Sequence, residues 1–216
     1  MQDTTPLAGP RAGVTARTAA PAAHAAPAGL SPRRRRRPPV GPSSTTVYSL
    51  VPSPVGEWML RGRRGVLTGI FLAGHERGPR PEPGWVRDDD ELGGARRQLD
   101  EYFSGTRRSF DVDLDLEGTA FQRRVWGALL TVPYGETASY GEIAEEIGSP
   151  GAARAVGSAN SHNPVSIVVP CHRVIGFDGT LGGYGWGTSV KAWLLDHERR
   201  HAGRGLQDPR GLPQVL

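Results

Sequence analysis

The sequence has very little sulfur, one lysine and no long apolar run. Cys171 is the only cysteine and Lys191 the only lysine in 216 residues. One cysteine cannot form an internal disulfide, so nothing here requires an oxidising compartment. It also excludes a zinc site with two thiolate ligands, while a site of histidines and carboxylates stays open. No segment approaches the roughly 18 consecutive apolar residues of a membrane-spanning helix. We therefore expect a cytoplasmic protein without a membrane partner.

Positive charge is concentrated at the start of the chain. Residues 1–43 contain seven arginines, five of them at 33–37, and a single acid, so this segment is formally +6 and the rest sums to −2. The segment is rich in Ala, Pro and Thr without periodic apolar positions, which predicts a disordered tail. No apolar stretch follows the arginine run, so we expect no secretory or twin-arginine signal. Two interpretations stay open: a salt-sensitive attraction to nucleic acid, or a solvated tail without a specific role.

Residues 44–117 predict a small α+β domain. Alternating apolar residues from Thr45 indicate a strand, and two further strands flank an Arg-Gly-Arg-Arg-Gly hairpin signal at 61–65. A helix then ends before Gly105, with acidic residues at its start, where the helix dipole favours them. A last strand alternates over 110–116 and exposes an acidic side. The apolar stripe of the helix contains Leu92, Ala95, Leu99, Tyr102 and Phe103, and the last strand presents Phe110, Val112, Leu114 and Leu116.

Residues 118–200 predict mostly helices. The apolar spacing indicates a helix at 121–130. A Ser-Tyr-Gly-Glu capping box at 139–142 begins a second helix. A Ser-Pro pair at 149–150 has the residues of an N-cap and a first helical turn, so a third helix is expected to run to about residue 161. Two short helices joined by a tight turn predict a helix-turn-helix.

The third helix has an outward face of very small residues. Arg154 shares that face with Gly157, Ser158 and Ser161. A major-groove reader usually projects several long polar side chains, whereas small residues let a helix backbone approach a narrow surface such as the minor groove. A single arginine there could enter the base stack. An ordinary packing helix stays open as the alternative. The predicted packing stripe consists of Ala152, Ala155, Val156 and Ala159.

The single cysteine lies in an unusual setting. The stretch Asn-Pro-Val-Ser-Ile-Val-Val at 163–169 predicts a turn and a short buried strand that ends near Cys171. A lone buried cysteine is usually a small hydrophobic residue. Here Pro170 fixes the approach, and His172 and Arg173 supply groups that accept a proton or raise the thiolate fraction. Adjacent side chains often diverge, so a bridging water would join His172 to the sulfur.

These motifs resemble a known family. Pro170-Cys-His-Arg173, with Ser-Tyr-Gly-Glu-Ile-Ala, Ala-Arg-Ala-Val-Gly-Ser-Ala-Asn and Gly-Gly-Tyr-Gly-Trp-Gly around it, is similar to the O6-alkylguanine-DNA alkyltransferases, or methylated-DNA–protein-cysteine methyltransferases. The resemblance is close over 118–198 and looser before. It implies an α+β fold, with a ribonuclease-H-like N-terminal domain before a mostly helical, winged helix-turn-helix-like domain. The expected boundaries are a tail at 1–43, domains at 44–117 and 118–200, and a flexible tail at 201–216.

The resemblance also implies roles for the residues around the thiol. Cys171 would accept the alkyl group irreversibly, so that each molecule acts once. His172 would take the thiol proton through a water, and Glu198 would orient that histidine. Asn163 would tie the helix-turn-helix to the turn that carries the cysteine. Arg173 would support this turn or contact phosphate and is not expected to be catalytic.

The implied partner is double-stranded DNA that carries O6-alkylguanine, bound by a monomer without a metal or other cofactor. Tyr140 would press on the phosphate of the target nucleotide, and Arg154 would fill the gap left when the base rotates out. Tyr184 would line the base pocket with backbone groups of Val174 and Gly185. Ser139 and Ala155 complete the expected DNA-binding set. O4-methylthymine stays open as a second substrate, and so does the effect of Trp186, where relatives often have a small residue.

Three other functions fit the sequence less well. A non-enzymatic alkyltransferase-like DNA-binding protein would lack the acceptor cysteine, which is present. A cysteine hydrolase would need an oxyanion hole and usually a distant histidine, and the sequence has no recognisable signature of either. A helix-turn-helix transcription regulator would be expected to carry a sensor or dimerisation segment, and the small-residue face of the third helix argues against it.

Overall fold

The structure is a computed structural model that describes residues 45–203. The predicted tail at 1–43 lies outside the described residues, as does the predicted C-terminal tail from residue 204 onward. The elements are β1 (Val47–Val51), β2 (Trp58–Arg63), β3 (Val66–Leu72), β4 (Val86–Arg87), α1 (Gly93–Phe103), α2 (Ala120–Leu129), β5 (Ala138–Ser139), α3 (Tyr140–Glu146), α4 (Ala153–Ser161), β6 (Val174–Ile175) and α5 (Thr188–His201).

A four-stranded sheet in the order β3-β2-β1-β4 forms the first part of the described chain. β1 pairs antiparallel with β2, and β2 with β3, whereas the two-residue β4 pairs parallel with β1. The predicted β2–β3 hairpin is confirmed. Its turn residues Arg64 and Gly65 have φ of 53° and 73°, and positive φ at both central positions matches the twist of the flanking strands. β1 buries alternate residues, as its sequence pattern predicts.

Helix α1 buries the predicted stripe but does not use the predicted acids. Ala95, Leu99 and Tyr102 are buried, and Gly105 follows the helix with φ of 79°. The first turn contains no acidic residue. The acids precede the helix in a turn in which the Asp88 carboxylate accepts hydrogen bonds from the backbone N–H groups of residues 90 and 91. The prediction that they stabilise the helix dipole is therefore wrong.

The predicted strand at 110–116 is reduced to a single bridge between Leu67 and Leu114. The reason is competition for the free edge of β3. Leu67 exchanges backbone hydrogen bonds with residues 113 and 115, but three residues later the N–H of Ile70 donates to the carbonyl of Pro164. Two chain segments thus share one strand edge. The apolar residues of 110–116 still pack against the core.

The helical part contains the predicted helix-turn-helix, α3 and α4. Ser139 and Glu142 form the predicted capping box of α3, with both reciprocal hydrogen bonds present. The predicted start of α4 is wrong: it begins at Ala153 without a side-chain cap. Gly151 has φ of 84°, which a right-handed helix does not accommodate, so residues 149–152 form a separate turn.

One hydrophobic core joins the sheet and the helices. It contains Trp58 and Leu60 of β2, Trp126 of α2, Val156 of α4 and Leu194 of α5, all at most 1% exposed. The buried indole N–H of Trp126 donates to the carbonyl of Ala159 at 2.9 Å. This bond fixes α4 on α2, so the outer face of α4 has a defined orientation.

Candidate active site

Cys171 follows two tight turns rather than the predicted strand. Ile167 has φ of 72°, and the N–H of Val168 donates to the carbonyl of Ser166, which closes a three-residue turn. Pro170, at φ −83° and ψ 62°, forms a second one, closed by the N–H of Cys171 and the carbonyl of Val169. Positive φ is costly for a β-branched residue, but Ile167 is fully buried. Packing of the Ile167 side chain therefore stabilises the first turn. A 3-10 turn at Cys171–Arg173 follows the second turn.

Two asparagines fix the cysteine. Cys171 is 4% exposed and lines an open pocket of about 450 Å³. The side-chain amide of Asn163, just beyond α4, donates to Cys171 Sγ at 3.0 Å and to the carbonyl of Val169 at 2.7 Å. The amide of Asn160 donates to the carbonyl of Cys171 at 3.1 Å. Sequence reasoning identified Asn163 but missed Asn160, although their three-residue spacing at a helix end was the available signal.

A buried charged cluster lies beside this turn, centred on Glu198 of α5, which is fully buried. Its Oε1 accepts a hydrogen bond from His172 Nε2 at 2.8 Å, and Arg173 binds both carboxylate oxygens through Nε and Nη2 at 2.8 and 3.0 Å. The Tyr102 hydroxyl and the Gly135 N–H add bonds of 2.9 and 3.1 Å. Arg173 also donates to the carbonyl of residue 132, so it supports the turn, one of its two expected roles.

The cluster sets the protonation of His172. Burial alone would raise the pKa of Glu198, but His172 and Arg173 outweigh burial and hold that pKa well below its usual range. Burial lowers the pKa of His172, although Glu198 opposes the effect. His172 is therefore neutral near pH 7, and the nitrogen that faces the carboxylate, Nε2, carries the proton. Nδ1 is left as an acceptor, and it has no hydrogen-bond partner among the described atoms. His172 accordingly makes no direct hydrogen bond to the Cys171 sulfur.

The sulfur itself is a thiol at rest. Burial raises the pKa of Cys171, while the Asn163 hydrogen bond and the charge of Lys191 act in the opposite direction. Lys191 is fully buried on α5, and its ammonium donates to the carbonyl of Val174 at 2.6 Å and to that of Leu181. Burial lowers the pKa of Lys191 to about 8. Sequence reasoning missed the role of this residue as a buried cation near the thiol.

Two aromatic residues form a wall of the pocket. Tyr184 and Gly185 line it as expected. The Tyr184 hydroxyl is buried close to the side chains of Cys171 and Ser166, and burial, followed by Cys171, raises its pKa well above the usual value. Trp186 also lines the pocket and donates from Nε1 to Ser166 Oγ at 2.7 Å. Val174 does not line the pocket: it is buried in β6, and its carbonyl accepts from Lys191.

Three of the expected DNA-binding residues, Tyr140, Arg154 and Ala155, lie on α3 and α4. Tyr140, the first residue of α3, is half-buried between Gly157 of α4 and Gly182. Its pKa is raised by burial and then by Cys171, so it lies near the thiol. Arg154 is exposed and makes no hydrogen bond or ion pair with the described residues. Ala155, predicted to pack, is exposed, because α4 buries Val156, Ala159 and Asn160 instead.

Within residues 45–203, no group of three or more His, Cys, Asp and Glu side chains is arranged to hold a metal ion. None of the helices in that range is long and apolar enough to cross a membrane.

Known proteins are similar to both parts of this chain. Residues 46–116 match the ribonuclease-like domain of 6-O-methylguanine DNA methyltransferase, and residues 120–200 match its DNA-binding domain. A methylated-DNA–protein-cysteine methyltransferase from Mycolicibacterium paratuberculosis is 55% identical over 159 residues, which are 74% of this chain and 96% of that protein. A Methanosarcina acetivorans protein of the same name is 48% identical over 152 residues, covering 70% and 97%.

A solved structure is also similar. The crystal structure of Mycobacterium tuberculosis OGT in complex with DNA is 52% identical, covers 72% of this chain and 94% of that chain, and has a TM-score of 0.67. The predicted resemblance and fold class, an N-terminal sheet domain before a helical domain, are thereby confirmed. From these matches, the chain belongs to the 6-O-methylguanine DNA methyltransferase family.

Proposed function

We propose that the chain repairs double-stranded DNA by moving the alkyl group of O6-alkylguanine onto Sγ of its own Cys171, once per molecule. The coarser activity, alkyl-transfer DNA repair by a DNA-binding methyltransferase, follows from the family. The acceptor atom, the single use of each molecule and the rotation of the base out of the duplex are the proposal. The observation that carries it is the position of the only thiol of the chain. It lines a pocket of about 450 Å³ and is followed by His172, whose Nδ1 has no hydrogen-bond partner among the described atoms.

The thiol proton has a defined destination. His172 Nδ1 is an acceptor without a described partner, and a water between it and the sulfur would carry the proton away as the thiolate forms. The resulting imidazolium is stabilised by Glu198, which Arg173 keeps ionised. This is an arrangement of nucleophile, base and orienting carboxylate. Asn163 holds the sulfur of Cys171 in place, and Asn160 holds the backbone carbonyl of the same residue.

The bonds, electrons and protons of the transfer reaction balance without a cofactor. The bond from Sγ to the alkyl carbon forms as the bond from that carbon to O6 breaks, and the electron pair of the broken bond stays on guanine. Guanine takes up one proton from water, and His172 returns the proton of the thiol to water, so the two proton transfers balance. The buried Tyr184 hydroxyl, which its raised pKa keeps protonated, is suited to donate a hydrogen bond to a ring nitrogen of the departing base. The product is a thioether, and the chain has no second thiol to reverse the reaction.

The base must leave the duplex to reach the sulfur, because Cys171 is nearly fully buried and the O6 substituent is hidden in the stack. Small residues of α4 permit a close approach, and Arg154 is free to occupy the gap in the stack. Tyr140 adjoins both α4 and the region of the thiol, so it would act on the rotated nucleotide. Ser139, the N-cap of α3, precedes Tyr140, and Ala155 follows Arg154 on α4. We propose that a single copy of the chain suffices.

The decisive experiment counts alkyl groups per protein. The protein is mixed with excess duplex carrying O6-methylguanine labelled in the methyl group, and the label is located by peptide mapping. We expect one label per molecule, on Cys171, and none on a Cys171→Ser variant that still binds DNA. Several transfers per molecule would rule out single use, and label on any other residue would rule out the assigned acceptor.

A further inference from the structure

One part of the wall of the active-site pocket belongs to the sheet domain. It consists of residues from β2, the end of β3 and the loop that follows, and these line the pocket together with Ser161 and His162 at the end of α4. The five residues of this wall are Arg61, Phe71, Arg77, Gly78 and Pro79.

The loop in this wall is held in place by specific contacts. His75 packs edge-on against the ring of Trp186, with centroids 5.5 Å apart, and its Nδ1 accepts a hydrogen bond from the Arg77 N–H at 3.2 Å. The Gly78 N–H donates to the carbonyl of His75 at 2.9 Å. A Cβ at residue 78 would lie 2.8 Å from the carbonyl oxygen of Leu72, so only glycine lets the loop pack so closely on β3. The backbone of Arg77 is therefore fixed at the pocket.

The two arginines of this wall differ in what they bind. Arg61 donates to the side chain and the carbonyl of Thr68, and its guanidinium lies over the rings of Phe71 and Trp85, at 5.1 and 5.5 Å. It is a structural residue. Arg77 is exposed, and its guanidinium forms no hydrogen bond or ion pair with the described residues. No carboxylate is among the described residues that line the pocket, although Glu82 and Glu117 lie near enough to Arg61 to favour its charged form.

We infer that Arg77 binds a phosphate next to the rotated guanine nucleotide. This inference rests on the proposed function: when a base enters the pocket, its backbone phosphates stay at the mouth, where an unpaired guanidinium can bind two phosphate oxygens at once. Residue 77 lies in the segment that matches the ribonuclease-like domain, not in the one that matches the DNA-binding domain. The sheet domain thus contributes directly to substrate positioning.

Arg77→Gln removes the charge, Arg77→Lys keeps it, and Arg97→Gln removes an equal charge from α1, where the side chain is 70% exposed and outside the pocket. Affinity for the lesion duplex is measured against salt concentration in the Cys171→Ser background, in which nothing is transferred. We expect Arg77→Gln to bind about tenfold more weakly and the slope of log affinity against log salt to fall by about 0.9, the value for one phosphate. Arg77→Lys should keep that slope, and Arg97→Gln should leave it unchanged.

The second measurement is the single-turnover transfer rate with Cys171 present, on the duplex and on free O6-methylguanine base, which has no phosphate. Arg77→Gln should slow the reaction with duplex below saturation and leave the reaction with free base unchanged. Equal salt slopes and rates for Arg77→Gln and Arg97→Gln would overturn the inference, and so would an equal loss on the free base. In either case, label on wild-type Cys171 would still support the proposed function, whereas absence of that label would reject both.

Discussion

The cluster around Glu198 and the outer face of α4 handle charge in opposite ways. In the cluster, one buried carboxylate accepts five hydrogen bonds from His172, Arg173, Tyr102 and Gly135. On the face of α4, Arg154 projects into solvent among glycine and serine residues without a partner in the described chain. The carboxylate of the cluster is fully bonded within the protein, while the charge on the face of α4 is left without a partner in the described chain. Changes in the two regions should therefore affect different quantities, namely folding stability and the handling of DNA.

The largest effect is expected for Glu198→Gln. This change keeps the shape of the side chain but leaves the buried guanidinium of Arg173 without its counter-charge. Removing one partner of a buried ion pair typically costs about 3–5 kcal/mol, so the free energy of unfolding in urea should fall by that amount. Transfer should also slow, because the imidazolium of His172 loses its stabilising charge.

Glu101→Gln is the matched control for this prediction. Glu101 contacts Arg107 at 2.5 Å and Arg97 at 3.9 Å, but these pairs are partly exposed, and exposed pairs are worth at most about 1 kcal/mol. If the two variants lost equal stability, the buried cluster would be no more important to the fold than a surface ion pair, and the contrast between the two regions would fail.

The next effect concerns the buried cation of Lys191. Its pKa is lowered from 10.5 to about 8 in the folded chain, so between these pH values the unfolded state binds more protons and the free energy of unfolding rises with pH. Relative to Lys191→Met, the wild type should gain up to about 3 kcal/mol as pH rises from about 8 to 10.5.

Urea unfolding at several pH values tests this prediction. Both proteins should carry Cys171→Ser, which removes the titration of the neighbouring thiol. If the difference in the free energy of unfolding between the two proteins stayed constant across this pH range, burial would not be lowering the pKa of Lys191, and the prediction would be wrong.

The sequence predicted the parts of the site that depend on local spacing. The capping box at Ser139 and Glu142 needs only a three-residue interval, and the helix-turn-helix follows from it. The turn before Cys171 could not be predicted in this way. Its apolar residues are typical of a strand, but Pro170 and the positive φ of Ile167 divide it into two tight turns, and burial rather than local preference holds them.

Partners distant in sequence were also beyond local reasoning. Glu198 was identified through the family resemblance, but nothing in the spacing indicated that Tyr102, 96 residues earlier, would bind it. The ammonium of Lys191 likewise binds carbonyls 17 and 10 residues away. The unpaired guanidinium of Arg77 became visible only when the fold placed the sheet domain against the pocket. Long-range packing supplied these parts of the site.

The smallest effect on stability, and a purely functional one, is expected for Arg154→Ala. The side chain is exposed and unpaired within the described chain, so the free energy of unfolding should change by less than about 0.5 kcal/mol. In the proposed function Arg154 fills the gap in the base stack, so without it the rotated base should return more readily. The transfer rate from lesion duplex should fall about tenfold, equivalent to about 1.4 kcal/mol.

Free O6-methylguanine base provides the internal control for Arg154→Ala. Because that substrate needs no rotation out of a duplex, its reaction with Cys171 should proceed at the wild-type rate. Arg97→Ala, which removes an equal charge from α1, should leave both rates unchanged. A loss of folding stability in Arg154→Ala, or an equal slowing on free base and duplex, would mean that this residue supports the fold or the thiol instead of the distorted DNA.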